Sequence, residues 1–212
     1  MKVYKKTIIW MIAVCIIFLS LSLNLEFNVL IHIDYHKDYL ENIFLGIFAS
    51  GLLVLIPSIV GYCCEKKQYY LDIYKIAGKL LYYSLEIIRY MDEYCQDKQL
   101  VSNTFDLFSM QYDEFISQYS RFTYFFYFGK RDKLIESILN ETTKFNLIQE
   151  EIIKLSKQVK SKEVNMETYK YCFDEVKKGF LDTKSTFIHY QDLISEDINK
   201  LIKDKKLKTY IK

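Results

Sequence analysis

The 212-residue chain is long enough for a membrane anchor with one soluble domain, or for a soluble domain alone. Its one Pro and six Gly argue against a turn-rich β sandwich or barrel, and a net charge of +2 gives no case for nucleic-acid binding. The five Cys residues form no CxxC pair and no secreted disulfide framework, which indicates a reducing compartment or burial in a membrane. We therefore expect an all-α protein.

Two uncharged apolar segments lie within residues 1–64. They cover about 7–25 and 43–64. At 1.5 Å per residue, each is long enough to cross a hydrocarbon core of roughly 30 Å. A cleaved signal peptide is the alternative for the first segment, but a small-x-small cleavage site is missing and a second segment follows closely. We predict a two-helix transmembrane hairpin with a short external loop over 26–42.

The charges beside these segments predict the orientation. Both outer flanks are rich in lysine, whereas the connecting loop is mainly acidic. Because Lys and Arg accumulate on the cytosolic side of membranes, both termini are expected in the cytosol. The abundance of Lys, Ile, Tyr and Asn is typical of an AT-rich bacterial genome, so the expected location is the bacterial cytoplasmic (inner) membrane. The flanking residues are Lys2, Lys5, Lys6, Lys66, Lys67, Lys75 and Lys79, and the loop carries Glu26, Asp34, Lys37, Asp38 and Glu41.

Small residues and one proline recur at four-residue spacing in the second segment. They are Gly46 and Ser50, followed by Pro57 and Gly61. Small residues let two helix backbones approach closely. We therefore predict that this face packs on the first span or on a second copy of the chain, and a homo-oligomer is expected. The alternative is that Gly and Pro are simply common in membrane helices.

The loop contains the weak metal-site candidates His32, Asp34 and His36. In an extended stretch these side chains lie on one side and present three ligands. Structural metal sites usually need a fourth ligand, and none is apparent in the sequence. A polar loop without metal is the favoured interpretation.

Residues 65–212 are expected to form a cytosolic antiparallel helical bundle or coiled coil. Apolar residues recur at three- and four-residue steps from Tyr70 to Tyr94, so the second span is predicted to continue as one helix to about Asp97. Further helices are predicted over about 104–122, with Ser102, Asn103 and Thr104 as candidate N-caps, over about 131–160, and from after 165 to about 206.

The last two predicted helices show apolar stripes typical of a long antiparallel bundle or coiled coil. The first stripe follows a heptad, with Glu141 at one seam position. Its apolar members are Leu134, Ile138, Phe145, Ile148, Ile152, Leu155 and Val159, and those of the second are Tyr169, Phe173, Val176, Phe180, Phe187, Tyr190, Ile194, Ile198 and Leu201.

An aromatic segment, residues 122–128, precedes Gly129. One interpretation is a membrane-interface element, because aromatic rings favour the headgroup layer and Arg121, Lys130 and Arg131 flank the segment. The other is a helix end buried in the bundle core, where rings supply a large buried area. The core interpretation is favoured.

No catalytic or cofactor motif is present: the sequence lacks Walker A, GxGxxG, GxSxG and HExxH patterns. Cys172 and His189 are 17 residues apart, so they cannot meet along one helix. We expect no catalytic residues, no cofactor and no enzymatic activity.

The layout of two apolar spans followed by cytosolic helices is similar to that of small two-span membrane effectors found beside bacterial immune and nucleotide-signalling genes, including the SLATT-type proteins. This resemblance implies oligomerisation and disturbance of the membrane. The expected function is accordingly a membrane-perturbing effector, of phage-defence or toxin type, triggered through its helical bundle. One alternative is a membrane-tethered scaffold or sensor that binds a cytosolic protein. A second is an oligomeric channel or transport component, which ranks lower because neither span carries an ionisable residue.

Overall fold

The computed structural model describes residues 2–27, 37–93, 98–126, 129–160 and 166–209. In these ranges the chain is helical and contains no strand, so the all-α prediction is confirmed. The elements in chain order are α1 (Lys2–Phe27), α2 (Lys37–Glu93), α3 (Lys98–Tyr119), a 3-10 helix (Ser120–Tyr124), α4 (Lys130–Lys160) and α5 (Met166–Thr209).

The helix α2 runs for 57 residues without a break, although Pro57 lies inside it. The predicted continuation of the second apolar segment as one helix is therefore confirmed as far as Glu93, and residues 94–97 of the prediction lie outside the described part of the chain. The helices extend beyond the predicted spans, because α1 ends at Phe27 and α2 begins at Lys37, and the external loop 26–42 between the spans stays a prediction. One predicted boundary is wrong: the candidate N-caps 102–104 lie inside α3, which begins at Lys98.

The described residues divide into two compact units. We call the first, residues 1–68 with 124–126, the apolar unit, and the second, residues 69–123 with 127–212, the helical unit. The helix α2 contributes residues to both. The predicted boundary at 64/65 falls near this division, but which unit lies in a membrane and which in the cytosol stays a prediction.

The core of the helical unit is built around Phe145 of α4. The centroid of its ring lies 5.1 Å from that of Phe108 on α3, and 4.6 and 5.3 Å from those of Phe180 and Phe187 on α5. All four side chains are fully buried. Rings at such separations bury much apolar surface and attract one another through their edges and faces. Helices α3, α4 and α5 therefore share one aromatic core.

The predicted seam of α4 consists of two columns of residues, each with seven-residue spacing. One column is buried as predicted, and the buried residues of the other are shifted by one residue. The predicted column Ile138, Phe145, Ile152 is buried. The second predicted column is only half-buried, and the neighbouring residues are buried instead. The predicted members were Leu134, Glu141 and Ile148, and the buried ones are Ile135, Thr142 and Gln149.

Polar side chains in this second column donate hydrogen bonds locally or across the helix contact, although the side-chain oxygen of Gln149 is buried without a partner among the described residues. The Thr142 hydroxyl donates to the Ile138 carbonyl at 2.7 Å. The Gln149 amide donates to the Phe105 carbonyl at 3.2 Å and to Ser109 Oγ at 2.9 Å, which ties α4 to α3. A buried polar group costs little free energy when it is paired in this way.

On α5 the buried residues follow the predicted stripe. Phe180, Phe187, Ile194 and Leu201 are buried at a constant seven-residue spacing, which is the repeat of a helix that packs along its length on a neighbour. The side chains of Leu155, Val159 and Tyr169, which also belonged to the predicted stripes, lie outside the described part of the chain. Gly129, with φ at +116°, precedes α4, and its carbonyl accepts a hydrogen bond from Lys133 N at 3.4 Å.

Candidate functional site: the α1–α2 contact, the aromatic segment and a tyrosine cluster

The helices α1 and α2 pack antiparallel within the apolar unit, and small residues contribute to the contact beside larger ones such as Phe18 and Phe44, whose ring centroids lie 5.8 Å apart. Ile8, Cys15 and Ser22 are buried on α1 at seven-residue spacing, opposite Gly51 and Ser58 on α2. A Cβ atom added to Gly51 would lie 2.8 Å from Cys15 Sγ. A side chain at residue 51 therefore requires the Cys15 thiol to rotate away or the two helices to shift.

The four residues predicted to pack helices do not share one environment. A Cβ atom at Gly61 would lie 2.8 Å from the Tyr4 ring, so Gly61 contacts α1. Gly46, Ser50 and Pro57 are exposed, and a Cβ atom at Gly46 would meet nothing within 4 Å. The predicted contact of these three residues with a second copy stays a prediction. The sequence interpretation missed Gly51, whose signal was its seven-residue spacing from Ser58.

Exposed hydroxyls in the apolar unit are satisfied within their own helices. Ser20 donates to the Ile16 carbonyl at 2.7 Å, and Ser50 donates to the Gly46 carbonyl at 2.8 Å. These bonds follow the four-residue back-bonding pattern of serine in apolar helices. The outer faces of both helices therefore present no unsatisfied serine hydroxyl at these two residues.

The residues Tyr124–Phe126 belong to the apolar unit and contact both of its helices. The Lys5 ammonium of α1 donates to the Phe125 carbonyl at 3.5 Å and lies 4.8 Å from the centroid of the Phe126 ring. The Lys66 ammonium of α2 donates to the Phe126 carbonyl at 2.6 Å. The Phe126 N–H donates to the Tyr62 hydroxyl at 2.7 Å. The aromatic segment is thus divided, because Phe122 packs in the helical unit against Tyr69 and Tyr119.

A cluster of buried tyrosines, one buried carboxylate and a partly exposed ion pair lies in the helical unit. The Tyr70 hydroxyl of α2 donates to Asp132 in the first turn of α4, and Asp132 is fully buried. Arg131 forms a two-pronged pair with Asp197 of α5, with Nε at 2.6 Å and a terminal nitrogen at 2.9 Å. The Arg131 guanidinium also lies 5.8 Å from the centre of the Tyr70 ring. We call Tyr70, Tyr74, Arg131, Asp132 and Asp197 the tyrosine cluster.

The tyrosine cluster holds its phenols in the neutral form. Burial, followed by the hydrogen bond to Asp132 and its charge, raises the pKa of Tyr70. Burial and then the nearby Asp197 carboxylate raise the pKa of Tyr74, whose hydroxyl has no hydrogen-bond partner of good geometry among the described residues. The hydrogen bond to Asp197 raises the pKa of Arg131. Raised pKa values of this kind keep the two phenols protonated at neutral pH, where a phenolate nucleophile is not formed.

The helical unit also has a shallow cleft of about 640 Å³ among α3, α4 and α5. The Tyr112 hydroxyl on its wall bonds to Thr143 Oγ1 at 2.9 Å, and the Lys144 ammonium pairs with Glu141 at 2.7 Å. Burial, followed by the charge of Glu141, raises the pKa of Tyr190 at the same cleft. At this cleft Tyr112 therefore bonds to Thr143, and Lys144 bonds to Glu141.

The candidate metal ligands His32, Asp34 and His36 lie outside the described residues. Within the ranges that the structure describes, no three His, Cys, Asp or Glu side chains come together as a metal site. Cys63 and Cys64 are exposed near the end of the second apolar segment, and Cys15 is buried in the α1–α2 contact.

Comparison with known proteins adds no relative: no protein-family model, no curated protein and no solved structure matches this chain. Two of its helices, within Val3–Phe27 and Asp38–Met91, are long and apolar enough to cross a membrane.

Proposed function

We propose that the chain is an integral membrane protein whose α1 and apolar part of α2 cross a bilayer as a hairpin. The support is the exposure of their apolar side chains. Only 22% of the most apolar stretch of α1 and 11% of that of α2 is buried within the chain. The core helix of a soluble protein would be mostly buried, whereas a membrane helix turns its large apolar side chains to lipid.

The proposed orientation places both termini in the cytosol. The flanks of the two apolar segments are rich in lysine and the connecting stretch is acidic, as the bias of Lys and Arg toward the cytosolic side requires. With the composition of the chain, this supports the bacterial cytoplasmic membrane as its location.

Within that membrane, we propose that the protein acts as a membrane-perturbing effector, without a catalytic step, controlled through the helical unit. The observation that carries this proposal is the unbroken helix α2, which runs from Lys37 to Glu93. Residues of the tyrosine cluster and residues of the second apolar segment lie on the same helix. A shift, tilt or rotation imposed on α2 at Tyr70 or Tyr74 therefore acts directly on the proposed span, because a helix transmits such movements over its hydrogen-bonded length.

The test is membrane potential in single cells after induced expression, with Gly51→Leu and Gly46→Leu as a matched pair. Both variants add the same apolar side chain to α2, but only residue 51 faces Cys15 across the α1–α2 contact. We expect depolarisation by the wild type and by Gly46→Leu, and its loss in Gly51→Leu at equal membrane levels. No depolarisation by membrane-located wild-type protein would contradict the effector function.

A further variant, Gly46→Leu with Ser50→Leu, tests the contact between copies. Its side chains project from the exposed face of α2 and leave the α1 contact untouched. Loss of depolarisation together with loss of cross-linked oligomers would support clustering through this face. Unchanged depolarisation would show that the effector acts without that contact.

A second candidate function is a membrane-tethered module that binds a cytosolic protein. It is favoured by exposed apolar side chains on α3, where Leu107 and Met110 lie three residues apart on one face. Replacing both with Gln would abolish capture of a partner in cells while leaving membrane potential unaffected. Capture of the same proteins by wild type and by this variant would argue against it.

A further inference from the structure

The short stretch Tyr124–Phe126 contacts α1 and α2 at one end of the α1–α2 pair. Lys5 directly precedes the first apolar segment, and Tyr62 and Lys66 stand where the second one ends. The antiparallel packing brings these three residues to the same end of the pair, since Tyr4 contacts Gly61 there. Phe125 and Phe126 contact this end through the three hydrogen bonds from or to Lys5, Tyr62 and Lys66.

The backbone of this stretch is not helical at Phe125 and Phe126, yet its polar groups are paired with side chains of the apolar unit. The Phe126 N–H donates to Tyr62, its carbonyl accepts from Lys66, and the Phe125 carbonyl accepts from Lys5. Irregular backbone is tolerated near the hydrocarbon of a bilayer only when its N–H and C=O groups are satisfied by protein.

The three side chains of the stretch are aromatic, and Phe125 is buried. The Tyr62 ring lies 5.7 Å from that of Phe125 and 5.6 Å from that of Phe126, centroid to centroid. Phe126 and Tyr124 are half-buried and retain open ring surface. Four lysines, at residues 5, 6, 66 and 67, flank the two apolar segments at this end of the pair. Their positive charge complements that of anionic headgroups. Aromatic rings with lysines at the ends of spans are the usual composition of the interfacial layer.

We propose that Tyr124–Phe126 is a third membrane contact of the chain, lying in the headgroup layer of an anionic bilayer at the lysine-rich ends of α1 and the α2 apolar segment. The inference rests on the proposed membrane location and extends it to a stretch sixty residues beyond the second span.

The experiment measures the depth of single tryptophans in the full chain, reconstituted in vesicles of phosphatidylcholine and phosphatidylglycerol. Trp10, the only tryptophan, is exposed on α1 and reports the span itself. In a Trp10→Phe background, Phe126→Trp and Tyr124→Trp report the stretch, and Met110→Trp on the exposed face of α3 is the matched control. Far-UV circular dichroism verifies that all variants have equal helicity. Because both Phe126→Trp and Tyr124→Trp report on the stretch, the test remains valid if one of them misfolds.

Each tryptophan is quenched in turn by a headgroup-level nitroxide lipid, by acyl-chain dibromolipids and by aqueous iodide. We expect the tryptophans at 126 and 124 to lose most emission to the headgroup quencher, Trp10 to the acyl-chain quencher, and the tryptophan at 110 to iodide alone. Quenching at 126 and 124 by iodide alone, with Trp10 still quenched by bromines, would overturn this inference and leave the spans intact. Trp10 untouched by any lipid quencher would instead contradict the membrane location.

Discussion

The two units of the molecule differ in how far small residues contribute to their helix contacts. Between α1 and α2, Gly51, Ser58 and Cys15 are buried together with Ile8 and Leu25, and the Phe18 and Phe44 rings lie 5.8 Å apart. Many other large side chains of these two helices point outward, among them Leu53 at 74% and Trp10 at 68% exposure. In the helical unit the contact is made by large rings around Phe145, and charged residues cover the outside. The helix α2 takes part in both arrangements within one uninterrupted element.

The proposed membrane location accounts for this difference. In water, burial of apolar area contributes roughly 25 cal/mol per Å², so large rings are drawn together. In lipid an apolar side chain gains nothing of this kind, and close approach of backbones past small residues stabilises the contact instead. The difference therefore supports a change of medium along α2, between the residues near Leu53 and those near Tyr74.

The largest expected effect is all-or-none and tests the small-residue contact. In a chain with Cys63, Cys64, Cys95 and Cys172 replaced by Ser, Gly51→Cys places a second thiol beside Cys15, close enough to bridge. Mild oxidation is expected to form an intramolecular disulfide, read as loss of maleimide–polyethylene glycol labelling. Gly46→Cys is the control and is expected to keep both thiols free. Equal bridging by the two variants would break the proposed pairing of α1 with α2.

The next effect tests the large-residue contact. Phe145→Ala removes the central ring of the aromatic core and is expected to lower the free energy of unfolding of the helical unit by about 3–5 kcal/mol. Leu147→Ala, on the exposed face of the same helix, is the control and is expected to cost less than about 0.5 kcal/mol. Urea unfolding of the full chain in detergent, followed by near-UV circular dichroism, measures both. Similar midpoints would show that this ring is not central to the fold.

A smaller effect tests the polar part of the helical unit. Tyr70→Phe removes the hydroxyl that donates to the fully buried Asp132, and a cost of about 1–3 kcal/mol is expected. Tyr82→Phe, at an exposed residue of α2, is the control and is expected to change little. The same unfolding measurement applies, and a neutral Tyr70→Phe would exclude a structural role for this hydrogen bond.

The pH dependence of stability also tests the burial of the Tyr70 phenol. The pKa of Tyr70 is raised in the folded chain, so above pH 10 the unfolded state loses the phenol proton while the folded state keeps it. Stability that is present below pH 10 is therefore lost as pH rises. The expected slope for this residue approaches about 1.4 kcal/mol per pH unit, and Tyr70→Phe is expected to show a shallower decline than Tyr82→Phe between pH 10 and 12. Parallel declines would contradict the burial of this phenol.

The order and kind of the helices were predictable because their signals are local. Uncharged apolar runs and three- and four-residue spacings can be recognised without knowledge of neighbouring helices. Helix α2 follows these patterns from the second apolar segment through Met91. Which face meets a neighbour is not local. Gly46 and Gly51 lie about 140° apart around a helix of 3.6 residues per turn, and the sequence favours neither.

The α4 seam was predicted one residue off in one column for a related reason. Leu134 and Ile148 are apolar, whereas the buried column contains Thr142 and Gln149. Gln149 belongs there because Phe105 and Ser109 of another helix accept its hydrogen bonds. The tyrosine cluster was missed in the same way, since Arg131 and Asp197 are 66 residues apart and no spacing rule joins them.

The proposal that the apolar part of α2 lies in lipid and the rest of it in water is tested most directly at two exposed residues of α2. The two residues belong to different units. Spin labels at Leu53 and Tyr82, each in a chain without other cysteines, report accessibility to oxygen and to a water-soluble nickel complex in reconstituted vesicles. Both side chains are exposed within the chain, so burial in protein does not separate them. The account predicts high oxygen and low nickel accessibility at residue 53 and the reverse at residue 82. Equal access of the nickel complex to both labels would contradict it.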